Sequence, residues 1–119
     1  MEETTIVNVK VAFIRPTYKN LSEWMDDPNN VYIGRAGIVF IDGKRFPRKS
    51  SEWCNPFKIT KDLTRASSLR KYRKHLIQML EDEDCLERFR ALRGKNLGCW
   101  CKPTQCHGDI IIKLLDEIE

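Results

Sequence analysis

The last quarter of the chain constrains the fold most, because it pairs a short strand with a strongly amphipathic helix. Residues 96–101 (NLGCWC) have the pattern of a short strand, and a loop around Pro103 follows. From Cys106 to Ile118 apolar residues recur at helical spacing, at Ile110, Ile111, Leu114, Leu115 and Ile118. Such a helix has to bury its apolar face, and a sheet that contains the preceding strand offers the surface for it.

The remaining patterns extend this unit into a small α/β sheet. Alternation over residues 6–13 predicts a strand with one buried face, and residues 31–35 predict a second strand that ends near a glycine. Asp42-Gly43 predicts a tight type I′ hairpin. Helices are expected over residues 21–25, 65–80 and 85–92, the last with Gly94 as its C-terminal cap. We therefore expect an α/β fold, a small single-domain sheet flanked by helices with a β-hairpin insert, with residues 1–119 forming one domain.

Composition limits the classes of protein that remain. No apolar run approaches the roughly 18 residues of a membrane span, so we expect no membrane partner. The first residues lack the pattern of a secretory signal, and the five cysteines are an odd number. Both features favour a reducing, intracellular location, which is the cytoplasm, or the host cytoplasm if the protein is viral. The net charge of +4 permits a phosphate-bearing partner, including nucleic acid, without requiring one.

The densest chemical signal is a cluster of three cysteines and a histidine within nine residues: Cys99, Cys101, Cys106 and His107. Three readings of it stay open. Three thiolates and an imidazole match the ligands of a tetrahedral zinc site, although the spacing is not that of a familiar zinc ribbon. A thiolate at Cys106, favoured by a helix N-terminus, could be a nucleophile paired with His107 or Asp109. The cysteines could also be small buried apolar residues.

The expected topology places this cluster where ligands bind in open α/β sheets, at strand carboxyl ends and helix N-termini. Strand periodicity puts Cys99 and Cys101 on one face and Trp100 on the other, so we expect Trp100 to be largely buried. Arg35 ends the strand predicted over residues 31–35 and suits a phosphate, and Trp100 or Tyr32 could stack on a base. Asn55-Pro56 predicts a turn, with the Asn55 amide lining the pocket and the next residue, a phenylalanine, packing inside.

A set of short motifs makes the sequence resemble a known family. The motifs are YIGR, W-x-NPF, LRGK and GCWC-x-P-x2-CHGD, and the match runs from Val7 to Leu115. They resemble a family of domains of unknown function found in bacteria, phages and large DNA viruses. The resemblance implies that residues 55–57, 99–101 and 106–109 are hallmark positions. The family usually has glycine or alanine where this chain has Cys54, which implies that Cys54 is not a shared ligand.

The resemblance supplies no activity, so the functional hypothesis rests on the residues. The leading one is a small intracellular enzyme-like domain that acts on a nucleotide or modified base, with Cys106, His107 and Asp109 as catalytic residues. Zinc with an open coordination position could activate water there. The alternative is a non-catalytic, zinc-stabilised module that binds nucleic acid through basic helix faces. A third reading, an Asn-Pro-Phe peptide captured by adaptor domains, requires residues 55–57 to be mobile.

Overall fold

A computed structural model describes residues 3–100 and 105–118 of the chain. Its main sheet has three parallel strands, β1 (Thr5–Asn8), β2 (Asn30–Tyr32) and β5 (Asn96–Cys99), in the order β1-β5-β2. Strands β3 (Val39–Ile41) and β4 (Lys44–Phe46) form an antiparallel hairpin. The helices of the described residues are α1 (Val11–Ile14), α2 (Leu21–Asp26), α3 (Arg65–Met79), α4 (Glu83–Arg90) and α5 (His107–Ile118). The predicted α/β fold with a hairpin insert is therefore confirmed.

The middle strand, β5, brings the carboxyl ends of all three parallel strands to one edge of the sheet. Its residue Cys99 pairs with Asn8 of β1, and Gly98 pairs with Tyr32 of β2. Helix α5 begins eight positions after the last β5 residue and packs back against β1. The N-terminus of α5 and the strand ends therefore share one edge, as the sequence predicts. No helix in the described part of the chain is long and apolar enough to cross a membrane.

The two faces of the sheet carry separate apolar clusters, because successive side chains of a strand point to opposite sides. Leu97 and Cys99 face the helices α3, α4 and α5, where they join a core that includes Tyr72 and Leu76 of α3. The long helix α3 thus contributes to the core on this face of the sheet and contacts α5. On the other face, a Cβ atom added to Gly98 would lie 2.5 Å from the ring of Trp24. Glycine in the middle strand therefore lets that ring approach the backbone closely.

The structure can be compared with three local predictions, which concern the end of β1, the burial of Trp100 and the hairpin turn. The strand predicted over residues 6–13 is wrong beyond Asn8, whose side-chain oxygen accepts a hydrogen bond from the backbone N–H of Lys10 at 3.0 Å. This turn ends the strand, and α1 follows it. Trp100 directly follows the end of β5, and its side chain is partly buried against the apolar cluster that includes Trp24, on the face opposite Cys99. The hairpin turn is as predicted, with φ of 53° at Asp42 and 78° at Gly43.

Candidate functional site

The CHGD segment begins α5 with a reciprocal pair of hydrogen bonds. The backbone N–H of Gly108 donates to Cys106 Sγ at 3.3 Å, and the backbone N–H of Cys106 donates to Asp109 Oδ2 at 3.0 Å. The arrangement is similar to a capping box, but the cysteine sulfur accepts from the second residue of the helix and not from the third, whose N–H donates to the Cys106 backbone oxygen. A Cβ atom on Gly108 would lie 3.1 Å from Ile6 and 3.2 Å from Ile33, so the first turn presses against the sheet. Asp109 therefore acts as a helix cap.

The two thiols at this junction are in contact. Cys99 Sγ lies 3.3 Å from Cys106 Sγ, and both side chains are buried. The hydrogen bond with Cys99, followed by burial, raises the pKa of Cys106 far above its ordinary value. The Cys106 thiol therefore retains its proton beside Cys99, whereas the helix N-terminus alone favours a thiolate.

His107 is buried beneath the same edge of the sheet. Its Nε2 lies 2.7 Å from the backbone oxygen of Ile33, and its ring packs edge-on against Tyr72 with the ring centroids 5.1 Å apart. Because a carbonyl can only accept, Nε2 carries the proton and Nδ1 is the acceptor nitrogen of the neutral ring. Burial, and then the positive charge of Arg35, lower the pKa of His107, although the Ile33 carbonyl opposes this. The imidazole is therefore neutral at pH 7.

Arg35 and the Asn-Pro-Phe segment form one connected network. The Arg35 guanidinium donates from Nε, at 3.1 Å, and from Nη2 to the backbone oxygen of Asn55. The Asn55 side chain accepts from the backbone N–H of Phe57 and donates to Ser68 Oγ, both at 2.9 Å. The Ser68 hydroxyl in turn donates to the Phe57 oxygen. Asn55 and Phe57 thus form an Asx turn, Phe57 is partly buried against the main core, and both ends of the Asn55 amide are bound within this network.

A second chain of hydrogen bonds fixes the two aromatic candidates. Trp100 Nε1 donates to Tyr32 Oη at 2.8 Å, and that hydroxyl donates to the backbone oxygen of Arg35 at 2.8 Å. The two rings meet edge to face, with their centroids 6.5 Å apart. Tyr32 is buried, so it orients Trp100 and the residue at position 35. Of the two rings predicted to stack on a base, the structure brings only that of Trp100 to the cavity wall.

A cavity of about 450 Å³ lies at this edge of the sheet. Three cationic side chains line it, Arg35, Lys58 and Arg65, and no aspartate or glutamate does so among the described residues. Its wall also holds Asn55, Cys99, Cys106 and His107, and an apolar part formed by Ile38, Phe57, Ile59, Leu69 and Trp100. The structure thus brings together most of the sequence-predicted site residues.

Sequence reasoning missed two of the cations. Lys58 directly follows the Asn-Pro-Phe segment, and this adjacency was the available signal for it. Arg65 is the first residue of α3, and in the sequence a basic residue at this position is typical of a solvent-exposed helix face. In the structure Arg65 Nη1 donates to the backbone oxygen of Gln105 at 2.8 Å, across 40 positions of the chain. That long-range contact holds Arg65 beside the start of α5.

The described residues leave the zinc prediction open. Among them no three histidine, cysteine, aspartate or glutamate side chains come together to hold a metal ion. Cys99 and Cys106 are two adjacent sulfur atoms, but His107 directs Nε2 to the Ile33 oxygen. Cys101, the third predicted sulfur ligand, lies outside the described residues. Zinc at this cluster therefore stays a prediction.

Comparison with known proteins agrees with the motif resemblance. A stretch of 56 residues is 32% identical to an uncharacterised 12.4 kDa protein of the nrdA-td intergenic region of Enterobacteria phage T4. The aligned stretch covers 46% of this chain and 52% of that protein, so the match spans about half of the relative's length. No solved structure matches the chain. The family model described as "Domain of unknown function (DUF4326)" matches residues 17–117, most of the chain, which therefore belongs to that family.

Proposed function

We propose that this chain is a small intracellular enzyme-like domain that binds a nucleotide, or another phosphate-bearing derivative of a modified base, in the cavity beside Cys99, Cys106 and His107. The charge of the cavity wall carries the proposal. Three cationic side chains line the cavity, and no aspartate or glutamate among the described residues does so. Such a wall favours an anion, because a bound phosphate offsets the mutual repulsion of the cations.

The two arginines in the wall are held in position and still have donors to offer. A guanidinium has five N–H groups. Arg35 uses groups on Nε and Nη2 to bind the Asn55 oxygen, and Arg65 uses one on Nη1 to bind the Gln105 oxygen. The remaining N–H groups can bind phosphate while the side chains stay in their present conformations. Less side-chain conformational entropy is therefore lost on binding.

The apolar part of the same wall supports a base rather than phosphate alone. Trp100 and Phe57 line the cavity together with aliphatic side chains. The volume of about 450 Å³ falls in the range of roughly 300–1,000 Å³ that is usual for small-molecule sites. The hydrogen bond to Tyr32 keeps the Trp100 indole in a fixed orientation. An aromatic ring beside a cationic wall is the chemistry that recognises a nucleotide.

His107 is the side chain of this wall that is best suited to proton transfer. Asp109 caps α5, and the pKa of Cys106 is raised, so of the three predicted catalytic residues we favour His107 as the base. The neutral imidazole presents Nδ1 as a proton acceptor, because Nε2 is bound to the Ile33 oxygen. We therefore assign the general base of the proposed enzyme to His107.

Calorimetric titration with the four nucleoside 5′-monophosphates tests the proposal, with the matching nucleosides as ligands that lack phosphate. Arg35→Gln and Arg65→Gln should each weaken monophosphate binding about 10-fold or more, the worth of one charge-assisted hydrogen bond. Arg90→Gln removes the same charge from an exposed position on α4 and should leave binding unchanged. Failure of all four monophosphates to bind, or equal losses in the three variants, would refute the cavity as the site.

The same variants distinguish the alternative, a module that binds nucleic acid. A single-stranded oligonucleotide bound through helix surfaces should dissociate steeply as salt is raised, and Arg90→Gln should then weaken it as much as Arg35→Gln does. Metal analysis of the purified chain tests the zinc part separately. About one zinc ion per chain, together with a lower melting temperature after chelation, would support the metal site.

A further inference from the structure

Two buried thiols meet where β5 ends and α5 begins. Cys99 Sγ and Cys106 Sγ are 3.3 Å apart, and the residues are 1% and 2% exposed. The backbone on both sides is fixed. The Cys99 oxygen accepts a hydrogen bond from the N–H of Val9 at 3.0 Å, and the Cys106 N–H is bound to Asp109. The contact between the sulfur atoms is therefore built into the sheet and the helix cap.

We propose that Cys99 and Cys106 form a redox pair, which hydrogen peroxide converts into an intramolecular disulfide. A disulfide has its sulfur atoms about 2.05 Å apart, so the two atoms have to approach by roughly 1.3 Å. Both residues line the cavity of about 450 Å³. A molecule as small as hydrogen peroxide can therefore reach these thiols through the cavity, although they are almost fully buried. Reversible disulfides of this kind are the form expected in a reducing compartment.

The chemistry balances with peroxide as the oxidant. The sulfur of Cys99, once its thiol has lost its proton, attacks a peroxide oxygen, the O–O bond breaks, and a sulfenic acid on Cys99 and a hydroxide form. The second sulfur attacks the sulfenic sulfur, the S–S bond forms, and the S–O bond breaks with release of a second hydroxide. The two thiol protons convert both hydroxides into water. Two thiols thus lose two electrons, and one peroxide is reduced to two waters. The inference does not depend on the nucleotide proposal.

Cys85 provides an internal control for the test. It is buried to a similar degree, with 4% exposure, but lies on α4 beside Arg88. The full chain is treated with increasing hydrogen peroxide, denatured and alkylated, and its five cysteines are examined by mass spectrometry. We expect loss of two alkylation sites together, with the mass of two hydrogens, at peroxide concentrations that leave Cys85 reduced. Dithiothreitol should restore both sites, and fragmentation should locate the bond between Cys99 and Cys106.

Two variants keep the test valid if changes within the pair impair folding. Cys85→Ser and Cys101→Ser, the second outside the described residues, leave the pair intact and should both form the disulfide. Cys106→Ser should stop at a sulfenic acid on Cys99 that dimedone traps. A bond that includes Cys101, or oxidation of Cys85 before the pair, would overturn the proposal. So would about one zinc ion per chain that protects both thiols from alkylation, which would favour the metal site.

Discussion

Replacement of Asn55 by alanine tests whether this residue stabilises the structure around the cavity or contacts the ligand itself. The side chain accepts a hydrogen bond from the N–H of Phe57 and donates one to Ser68 Oγ, each 2.9 Å long. Alanine removes both bonds. It keeps the backbone oxygen of residue 55, which is the atom that holds Arg35. The variant therefore perturbs the frame of the cavity and leaves its cationic wall in place.

The expected loss of stability follows from these two bonds. Each internal hydrogen bond contributes about 1 kcal/mol to the free energy of unfolding. Both bonds are partly buried, and the fully buried Ser68 keeps the Phe57 oxygen as a partner for its hydroxyl. We therefore expect Asn55→Ala to lower the free energy of unfolding by about 2 kcal/mol. For a domain of this size that corresponds to a melting temperature lower by about 6–10 °C.

Urea unfolding and calorimetry measure this loss, with Asn55→Asp as the matched variant. The aspartate keeps an acceptor for the N–H of Phe57, so it should lose only about 1 kcal/mol. Nucleoside monophosphate affinity of the folded Asn55→Ala chain should change by less than about 3-fold, below 1 kcal/mol. An unchanged melting temperature with binding lost would refute the structural role and place Asn55 in contact with the ligand, as the sequence alone predicted.

Three further predictions address the sheet, the helix cap and the histidine. Gly98→Ala places a Cβ atom 2.5 Å from the Trp24 ring and should lower the free energy of unfolding by about 2 kcal/mol; an unchanged urea midpoint would contradict this. Asp109→Ala should lose about 1 kcal/mol and Asp109→Asn less, because asparagine still offers an acceptor to Cys106; equal losses would contradict the capping role. Burial lowers the pKa of His107, so below about pH 6.5 the unfolded chain binds more protons. Stability should therefore fall as pH decreases through this value, by at most about 1.4 kcal/mol per pH unit, and His107→Gln should show a shallower slope.

Elements set by short-range patterns were predictable from the sequence. The stripe of isoleucine and leucine after Cys106 predicts α5, and α5 begins at His107, one residue later. Asp42-Gly43 supplies the positive φ angles of the hairpin turn, so its position follows from two residues. In both cases the residues that determine the structure are neighbours in the sequence. The strand that precedes α5 is likewise predicted, although it ends at Cys99.

Features that depend on distant partners were not predictable in the same way. Residues 9–13 alternate like a strand, but β5 is only four residues long, and β1 pairs with it through Asn8. The end of β1 is thus set by its neighbour and by the Asn8 turn. The internal role of Asn55 depends on Ser68, and the place of Arg65 in the wall depends on Gln105. Neither pairing leaves a local signal in the sequence.

The CHGD segment shows why a motif rich in reactive side chains is an uncertain guide to chemistry. The close approach of α5 to the sheet favours glycine at position 108, and Asp109 accepts a hydrogen bond from the N–H of Cys106. Packing and capping account for these two residues without any reaction. They do not account for a buried histidine that is kept neutral beside a cationic cavity, or for a second thiol in contact with the first. Chemistry at this edge of the sheet is therefore best sought at His107 and at the contact between Cys99 and Cys106.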